Sequence, residues 1–178
     1  MKTQVLNFWF KEIEPKLWWV KDDKFDQLIQ DRFGELHRAA NACELYQWRD
    51  TPEGRLAEII VLDQFSRNMF RDQPQSFASD ALALVLAQEA VASGDDLRLI
   101  EAQRNFLYLP FMHSESLVIH DHALELYKTN GSEANLGFEE RHRVIIEKYG
   151  RYPHRNKILG RVSTEEEIEF LKQPGSSF

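Results

Sequence analysis

Apolar residues recur at intervals of three and four along most of this sequence, and that spacing constrains its fold more than any other feature. In the stretch from Asp22 to Leu45, one helical face would carry Phe25, Leu28, Ile29, Phe33, Leu36, Ala39, Ala40 and Cys43. Such a stripe is typical of an amphipathic α-helix that buries one side. Only eight Gly and six Pro stand among the 178 residues, so few residues interrupt the pattern. The sequence therefore predicts an all-α protein.

Capping residues and helix breakers divide the pattern into about eight helices. Thr51 and Pro52 predict a helix start, because Thr caps free N–H groups and Pro at the first position loses no needed donor. Pro110 is expected to end or kink the helix at that point of the chain. Ser163 and Glu166 have the spacing of a capping box, which predicts a last short helix. The predicted helices cover roughly 22–45, 51–70, 79–93, 97–109, 115–129, 134–149 and 163–171. They would form a single-domain bundle or a stack of helical hairpins.

Length and composition set the class of protein. A chain of 178 residues suits one domain, which we expect over 1–173, followed by a loose tail over 174–178. The single cysteine, Cys43, excludes a disulfide framework. The longest apolar run, 81–87, is too short to cross a membrane, and the first twenty residues contain no secretory leader. We therefore expect a cytoplasmic protein that does not associate with membranes.

The first candidate functional segment is 62–71. On a continuous helix, Asp63, Arg67 and Arg71 lie on one face at successive i, i+4 positions, and Asn68 lies beside them. Two guanidinium groups next to a carboxylate can hold a planar anion through paired hydrogen bonds. The alternative is an ordinary solvated helix face with a weak Asp–Arg pair.

The second candidate segment is 109–115, where Pro110 interrupts an apolar stretch just before a His-Ser-Glu cluster. His113 and Glu115 are candidate acid–base groups, because histidine titrates near neutral pH and a carboxylate can orient it. Ser114 has no Gly-x-Ser-x-Gly surroundings, so we interpret it as a helix cap rather than a nucleophile.

The third candidate segment is 149–161, with His154, Arg155 and Asn156 at its centre. Residues 139–161 contain seven Lys or Arg and three Glu, a local charge of +4 in a chain of net charge −7. A separation of charge like this attracts anions, and loop residues between rigid helices often form binding sites. The alternative is a basic turn that only caps helices and forms surface ion pairs.

Metal, cofactor and nucleic-acid binding are not predicted. One Glu-x-x-His stands at 139–142, but a di-iron site needs a second copy, and the sequence has none. His120 and His122 point to different sides of a helix. The Trp and Phe residues near the N-terminus could stack bases, but they lie outside the basic segment of an acidic chain, so core packing explains them better.

Several blocks of this sequence are similar to a known family. They are Phe8-Trp9-Phe10, Trp18-Trp19, 62–71, 111–115, and 150–156 with the following Gly160-Arg161. In their order along nearly the whole chain they resemble DUF924, a bacterial family of unknown function. Ser66 is a departure, because the family more often has Pro there, with a turn or kink after Phe65. The resemblance implies a single-domain, tetratricopeptide-like helical fold, and it implies no activity.

These observations leave three functional hypotheses. In the first, the three segments form one pocket that binds a small carboxylate or phosphate, with or without an enzymatic reaction. Proton transfer would use His113, Glu115 or His154, and binding would use Asp63, Arg67, Asn68, Arg71, Arg155 and Asn156. In the second, stacked hairpins form a groove that binds a peptide partner. In the third, the polar residues only join helices. A homodimer is left open, because the aromatic residues are numerous for one core.

Overall fold

The computed structural model describes residues 1–177, which form eight α-helices and no β-strand. The bounds of the helices are α1 Lys2–Asn7, α2 Asp23–Asn41, α3 Pro52–Met69, α4 Asp80–Ala92, α5 Glu101–Met112, α6 Leu117–Asn130, α7 Glu133–Tyr149 and α8 Glu165–Phe170. A π-helical turn over Phe8–Glu12 continues α1, and short 3-10 turns connect several of the other helices. Consecutive helices from α2 to α7 pack against one another. The all-α prediction is confirmed.

Local chemistry sets most of the helix ends. The Asp22 carboxylate accepts N–H bonds from Lys24 and Phe25 and so begins α2. The Thr51 hydroxyl accepts the N–H of Gly54 at 3.2 Å and begins α3, as the Thr-Pro pair predicts. Helices α6 and α7 end at glycines in the left-handed conformation, which side chains rarely adopt.

Helix α3 is the centre of the fold. It packs against α1, α2, α4 and α5, and most of its residues are buried. The alternative of a solvated face over 62–71 is therefore wrong, because both Asp63 and Asn68 are inside the protein. Ser66 does not bend the helix: its hydroxyl donates to the Leu62 carbonyl, and α3 continues to Met69.

Two expectations about local structure need correction. Pro110 lies inside α5, in its last turn, where only two helical residues follow it and burial of the ring offsets the missing N–H bond. The last capping box uses Thr164 and Glu167, one position after the predicted pair, and both of its hydrogen bonds form.

The predicted tail is mostly exposed where it is described. Pro174, Gly175 and Ser177 are exposed, while Ser176 is buried and its hydroxyl donates to the Leu171 carbonyl. The last residue of that predicted tail, Phe178, lies outside the described residues. No helix in residues 1–177 combines the length and the apolar character needed to span a bilayer.

Candidate functional site

Parts of the second and third predicted segments line one open cleft of about 390 Å³, and Asp63 and Arg67 of the first segment bind lining residues from behind it. We call it the His113 cleft. Its walls are Pro74, Phe77, Ala78, Asp80, Ala81, Leu84, Pro110, His113, Ser114, Glu115, Arg155 and Leu159. The apolar wall comes from α4, the turn before it and the end of α5. The charged wall comes from the α5–α6 connection and the 3-10 turn after α7. A cleft with a few polar groups on an apolar wall is the usual form of a small-molecule site.

A pair formed by Asp63 and His113 connects the core to this cleft. Nδ1 of His113 lies 2.6 Å from Oδ1 of Asp63, whose side chain is 0% exposed on the central helix α3. Gln64 donates to the other oxygen of the same carboxylate at 2.6 Å. Burial alone would raise the pKa of Asp63, but His113, Arg67 and Gln64 outweigh it and hold the pKa of this carboxyl below its ordinary value.

The pair leaves the other ring nitrogen of His113 available. An ionised carboxylate only accepts hydrogen bonds, so Nδ1 carries a proton, and Nε2 is the nitrogen at which the neutral and the protonated ring differ. Within residues 1–177, Nε2 has no hydrogen-bond partner and is not buried, while the whole side chain is 18% exposed. His113 is therefore held on its inner side and open on its outer side, which is the arrangement of an oriented acid–base group.

Two arginines share a single carboxylate beside this histidine. Arg67 from α3 and Arg155 both form ion pairs with Asp80, at 2.8 Å and 3.3 Å. The Phe77 ring lies against both guanidinium groups. The guanidinium of Arg155 also lies 4.6 Å from the centre of the Tyr152 ring. Arg67 also donates to the Ser76 carbonyl, so it is occupied by the protein itself.

Arg155 is the less satisfied of the two arginines. Its side chain is 8% exposed, and its Nε has no hydrogen-bond partner among the described residues. Burial and the nearby Arg67 lower its pKa, although a guanidinium keeps its proton in proteins. That Nε is itself buried, and Nη1 and Nη2 donate to Asp80 and to the His113 carbonyl, so Arg155 offers an anion in the cleft its positive charge rather than a free donor.

Glu115 lines the cleft but is fully used as an acceptor. Arg161 donates to both of its oxygens, at 2.7 Å and 2.9 Å, and the Tyr152 N–H donates to one of them. Burial opposes ionisation, but these bonds outweigh it and hold the pKa of Glu115 below its ordinary value. A carboxylate bound in this way anchors the loop rather than carrying a proton.

His154 lies beside the cleft and does not line it. Burial, together with the positive charges of Arg155 and Arg67, lowers its pKa to about 4. It is therefore a neutral imidazole at pH 7. Of the three residues predicted to transfer protons, His113 alone combines an orienting partner with an open nitrogen.

Three predicted binding residues face away from the cleft. Asp26 of α2 accepts two bonds from Arg71, at 2.6 Å and 2.8 Å, and one from Asn68 at 2.7 Å. Asn156 is buried, where its amide donates to Ser163 and Glu167. The three residues join helices and loops, as the third hypothesis expected for the polar blocks. The structure thus brings Asp63, Arg67 and Arg155 together and separates these three from them.

Sequence reasoning missed several residues that shape the site. Asp80, which binds both arginines, stands in the first turn of α4, where an acidic residue is common and gives no functional signal. His120 and Glu139 form a buried pair at 2.6 Å, and the sequence suggested them only as metal ligands. Tyr152 belongs to the third segment and could have been found from it. No three His, Cys, Asp or Glu side chains in residues 1–177 are placed to hold a metal ion.

A second cleft lies at the other end of the chain in sequence. We call it the N-terminal cleft; it has a volume of about 410 Å³ and is lined by Lys2, Thr3, Leu6, Asn7, Phe10, Lys11, Thr51, Glu53 and Gln103. None of the predicted site residues lines it. It contains two lysines and a largely apolar floor, with no buried titratable group.

Comparisons with other proteins agree with the resemblance found in the sequence. The model of DUF924, described as bacterial protein of unknown function, matches residues 5–175. A solved structure of a protein of unknown function from Agrobacterium tumefaciens is 40% identical to this chain. It superposes with a TM-score of 0.91, and the match covers 96% of each chain. A search of curated proteins finds no match.

Proposed function

This chain belongs to the DUF924 family of bacterial proteins of unknown function, and from its geometry we propose that it binds a small anionic molecule in the His113 cleft and exchanges a proton with it at Nε2 of His113. The observation that carries the proposal is the Asp63–His113 pair. A fully buried carboxylate fixes one ring nitrogen at 2.6 Å and leaves the other open to the cleft. Acid–base catalysis requires such an oriented imidazole.

The charges around the cleft suit a ligand with one negative charge. Asp63 and Asp80 carry two negative charges, and Arg67 and Arg155 carry two positive charges. This group is neutral overall while His113 is neutral. A proton on His113 adds one positive charge, which a carboxylate or phosphate oxygen would balance. Binding of the anion and protonation of His113 should therefore favour each other.

The other titratable groups do not change this balance. Arg161 neutralises Glu115 in a two-bond ion pair. His154 is uncharged at pH 7, because its pKa is about 4. The open Nε2 of His113 is therefore the place where a proton can enter or leave the cleft. In the reaction, the imidazolium formed with the bound anion donates its Nε2 proton to an oxygen or nitrogen of the ligand, and Nε2 takes a proton back from the product.

Isothermal titration calorimetry with acetate and with sulfate tests this proposal. Neither ion titrates near neutral pH, so comparison of two buffers with different ionisation heats measures the protons taken up by the protein. We expect uptake of up to one proton per bound anion in the wild type. The variant H113N should bind without uptake, and R155Q should lose binding.

R71Q is the matched control, because Arg71 is bound by Asp26 outside the cleft. It should bind acetate and sulfate as the wild type does. Absence of heat with both anions, or equal proton uptake in the wild type and H113N, would contradict the proposal.

A second candidate function is binding of an acidic peptide in the groove of a tetratricopeptide-like stack. The observation that favours it is the N-terminal cleft, where Lys2 and Lys11 flank an apolar floor. A glutamate-rich peptide should then bind in a salt-dependent manner, and K11Q should weaken it. K24Q, on the exposed side of α2, serves as the control.

A further inference from the structure

The chain around His113 is fixed by an unusual set of hydrogen bonds. Three consecutive main-chain carbonyls, those of residues 112–114, each accept a bond from a side chain outside α5, two of them from about 40 residues away and one from the next helix. The Tyr152 hydroxyl donates to Met112 at 2.5 Å, Arg155 donates to His113 at 3.0 Å, and Nε2 of His120 contacts Ser114 at 2.9 Å. We call these three side chains the carbonyl clamp.

The clamp adds to the ordinary end of α5. The last carbonyls of a helix have no partner within it and are satisfied by turns, by water or by other side chains. Here α5 ends at Met112, and the N–H groups of His113 and Ser114 donate to the carbonyls of Leu109 and Phe111 in the usual way. The clamp satisfies the carbonyl of Met112 and those of the two residues after it, so it holds the residue that carries the open imidazole and both of its neighbours.

The protons of the His120–Glu139 pair can be counted from its partners. The Ser114 carbonyl only accepts, so Nε2 of His120 must carry a proton. A second proton must lie between Nδ1 of His120 and Oε1 of Glu139, which are 2.6 Å apart. The pair therefore holds two protons and is neutral overall. Removal of either proton would leave a negative charge where both side chains are fully buried.

A carboxyl side chain is energetically unfavourable at the buried position of Glu139. Its Oε2 is buried, and residues 1–177 offer it no hydrogen-bond partner. Burial raises its pKa, and His120 compensates only in part. A well-packed apolar side chain would cost less. The carboxyl group gives one thing that an apolar side chain does not, namely a hydrogen bond that orients the His120 ring toward Ser114.

We propose that His120, oriented by Glu139, is a positioning residue that fixes the His113 backbone through the carbonyl clamp and so maintains the Asp63–His113 hydrogen bond. The inference rests on the proposed function of His113. Asp63 stands on the central helix α3, while His113 stands at the end of α5, so their 2.6 Å separation depends on how the two helix positions are held relative to each other. A displacement of about 1 Å at such a site is enough to disrupt its chemistry.

Nuclear magnetic resonance of the His113 ring tests the proposal without a substrate. In the wild type, the Nδ1 proton held by Asp63 should give a protected, strongly downfield resonance. E139Q should retain it, because the glutamine amide can donate to His120 Nδ1 and keep the Ser114 bond. E139L removes the orienting group and should lose the resonance. It should also weaken acetate binding roughly tenfold.

Y152F gives a second variant if E139L does not fold. It removes only the hydroxyl that donates to Met112, and it should also lose the His113 resonance. Y108F is the matched control. Tyr108 is a buried tyrosine of α5, the helix that ends at Met112, and its hydroxyl donates to Asp96 at 2.6 Å and not to the carbonyls of residues 112–114. Y108F should leave the resonance unchanged.

Retention of the resonance in folded E139L or in folded Y152F overturns the positioning role. That result would leave anion-linked proton uptake by the wild type untouched. Conversely, loss of the resonance in both variants, with no proton uptake by the wild type, would support the clamp and refute the proposed function. The two proposals therefore fail separately.

Discussion

The Asp63 carboxylate decides which nitrogen of His113 carries the proton. In D63N, Gln64 still donates toward one end of the side chain, so the carbonyl of the new amide should turn to Gln64 and its NH₂ group to His113. Nδ1 must then accept, and the proton should move to Nε2. Nitrogen-15 spectra of the ring distinguish the two tautomers directly. If the proton stays on Nδ1 in D63N, this assignment is wrong. N68D is the control: it should leave the tautomer of His113 unchanged, because Asn68 binds Asp26 and not the Asp63–His113 pair.

A substitution of Asp26 should change the stability of the protein and not its binding of acetate. Asp26 binds both Asn68 and Arg71, and its side chain is largely buried between α2 and α3. D26N should lower the free energy of unfolding by about 1.5–3 kcal/mol, the usual range for a hydrogen bond to a charged group. Acetate affinity should stay unchanged, because the pair lies outside the His113 cleft. Urea unfolding measures the stability of D26N, and calorimetry measures its affinity for acetate. Weaker acetate binding by D26N would mean that Arg71 belongs to the binding site.

Individual residues show where sequence reasoning reaches its limit. The i, i+4 spacing correctly places Asp63 and Arg67 toward the same region of the protein, because a helix fixes that relation locally. It says nothing of the partner that each side chain meets. Arg71 follows Arg67 by the same interval but reaches Asp26, which is 45 residues away in sequence. Asp80 has no local signal at all, and yet it binds both arginines.

At the scale of elements, the six-residue helix α8 is joined to the rest of the protein by its residue Glu167. Glu167 accepts bonds from Arg151, from Asn156 and from the Thr164 N–H. Arg151 is the main cause that lowers its pKa from 4.5 to about 2. A carboxyl with a lowered pKa in the folded state stabilises the protein above its unfolded pKa, and this contribution is lost as the pH falls from about 4.5 toward 2.

E167Q should therefore destabilise the protein at pH 7 by about 1.5–3 kcal/mol. The difference from the wild type should shrink as the pH falls from 4.5 toward 2. E166Q is the control, because Glu166 is exposed and forms only a surface pair with Lys148. Chemical unfolding at several pH values gives both curves. A difference that does not depend on pH would mean that Glu167 acts by packing and not by charge.

Helix ends could be predicted better than helix interiors. Thr51 with Pro52, and the glycines after α6 and α7, act through local geometry, so their positions are readable in the sequence. The expected break at Pro110 was wrong, because the lost N–H bond is visible in the sequence, whereas the burial of the ring that offsets it is not. The end of α5 could not have been read either, since Tyr152, Arg155 and His120 complete it from other parts of the chain.

For the whole molecule, the meeting of the three segments follows from one fact, the central position of α3. A helix that packs on four others brings Asp63 and Arg67 within reach of the end of α5 and of the turn after α7. The sequence pattern predicts helices, but it does not say which of them is central. Most of the aromatic residues in 1–177 pack in one main cluster, and among these described residues only Trp19, Tyr46 and Phe138 are exposed. A homodimer therefore stays a prediction without support from aromatic excess.

Buried histidines should make the stability of the whole molecule sensitive to mild acid. Burial lowers the pKa of His37, that of His142 to about 3 and that of His154 to about 4. Each binds a proton more readily in the unfolded chain. The free energy of unfolding should therefore fall as the pH drops below about 6.5, by roughly 1.4 kcal/mol per pH unit for each histidine. Glu139 acts in the opposite direction, because its raised pKa favours the folded state at low pH.

A glutamine at position 142 isolates one of these contributions. H142Q can still donate to the Phe138 carbonyl, which the His142 ring contacts at 2.7 Å, but it does not titrate. Urea unfolding between pH 6.5 and 4 should show a slope that is smaller by about 1.4 kcal/mol per pH unit than in the wild type. Between pH 7.5 and 8.5 the two slopes should coincide, since neither form of the protein binds a proton there at this position. Equal slopes below pH 6.5 would mean that His142 takes up its proton in the folded protein as easily as in the unfolded chain, which its burial opposes.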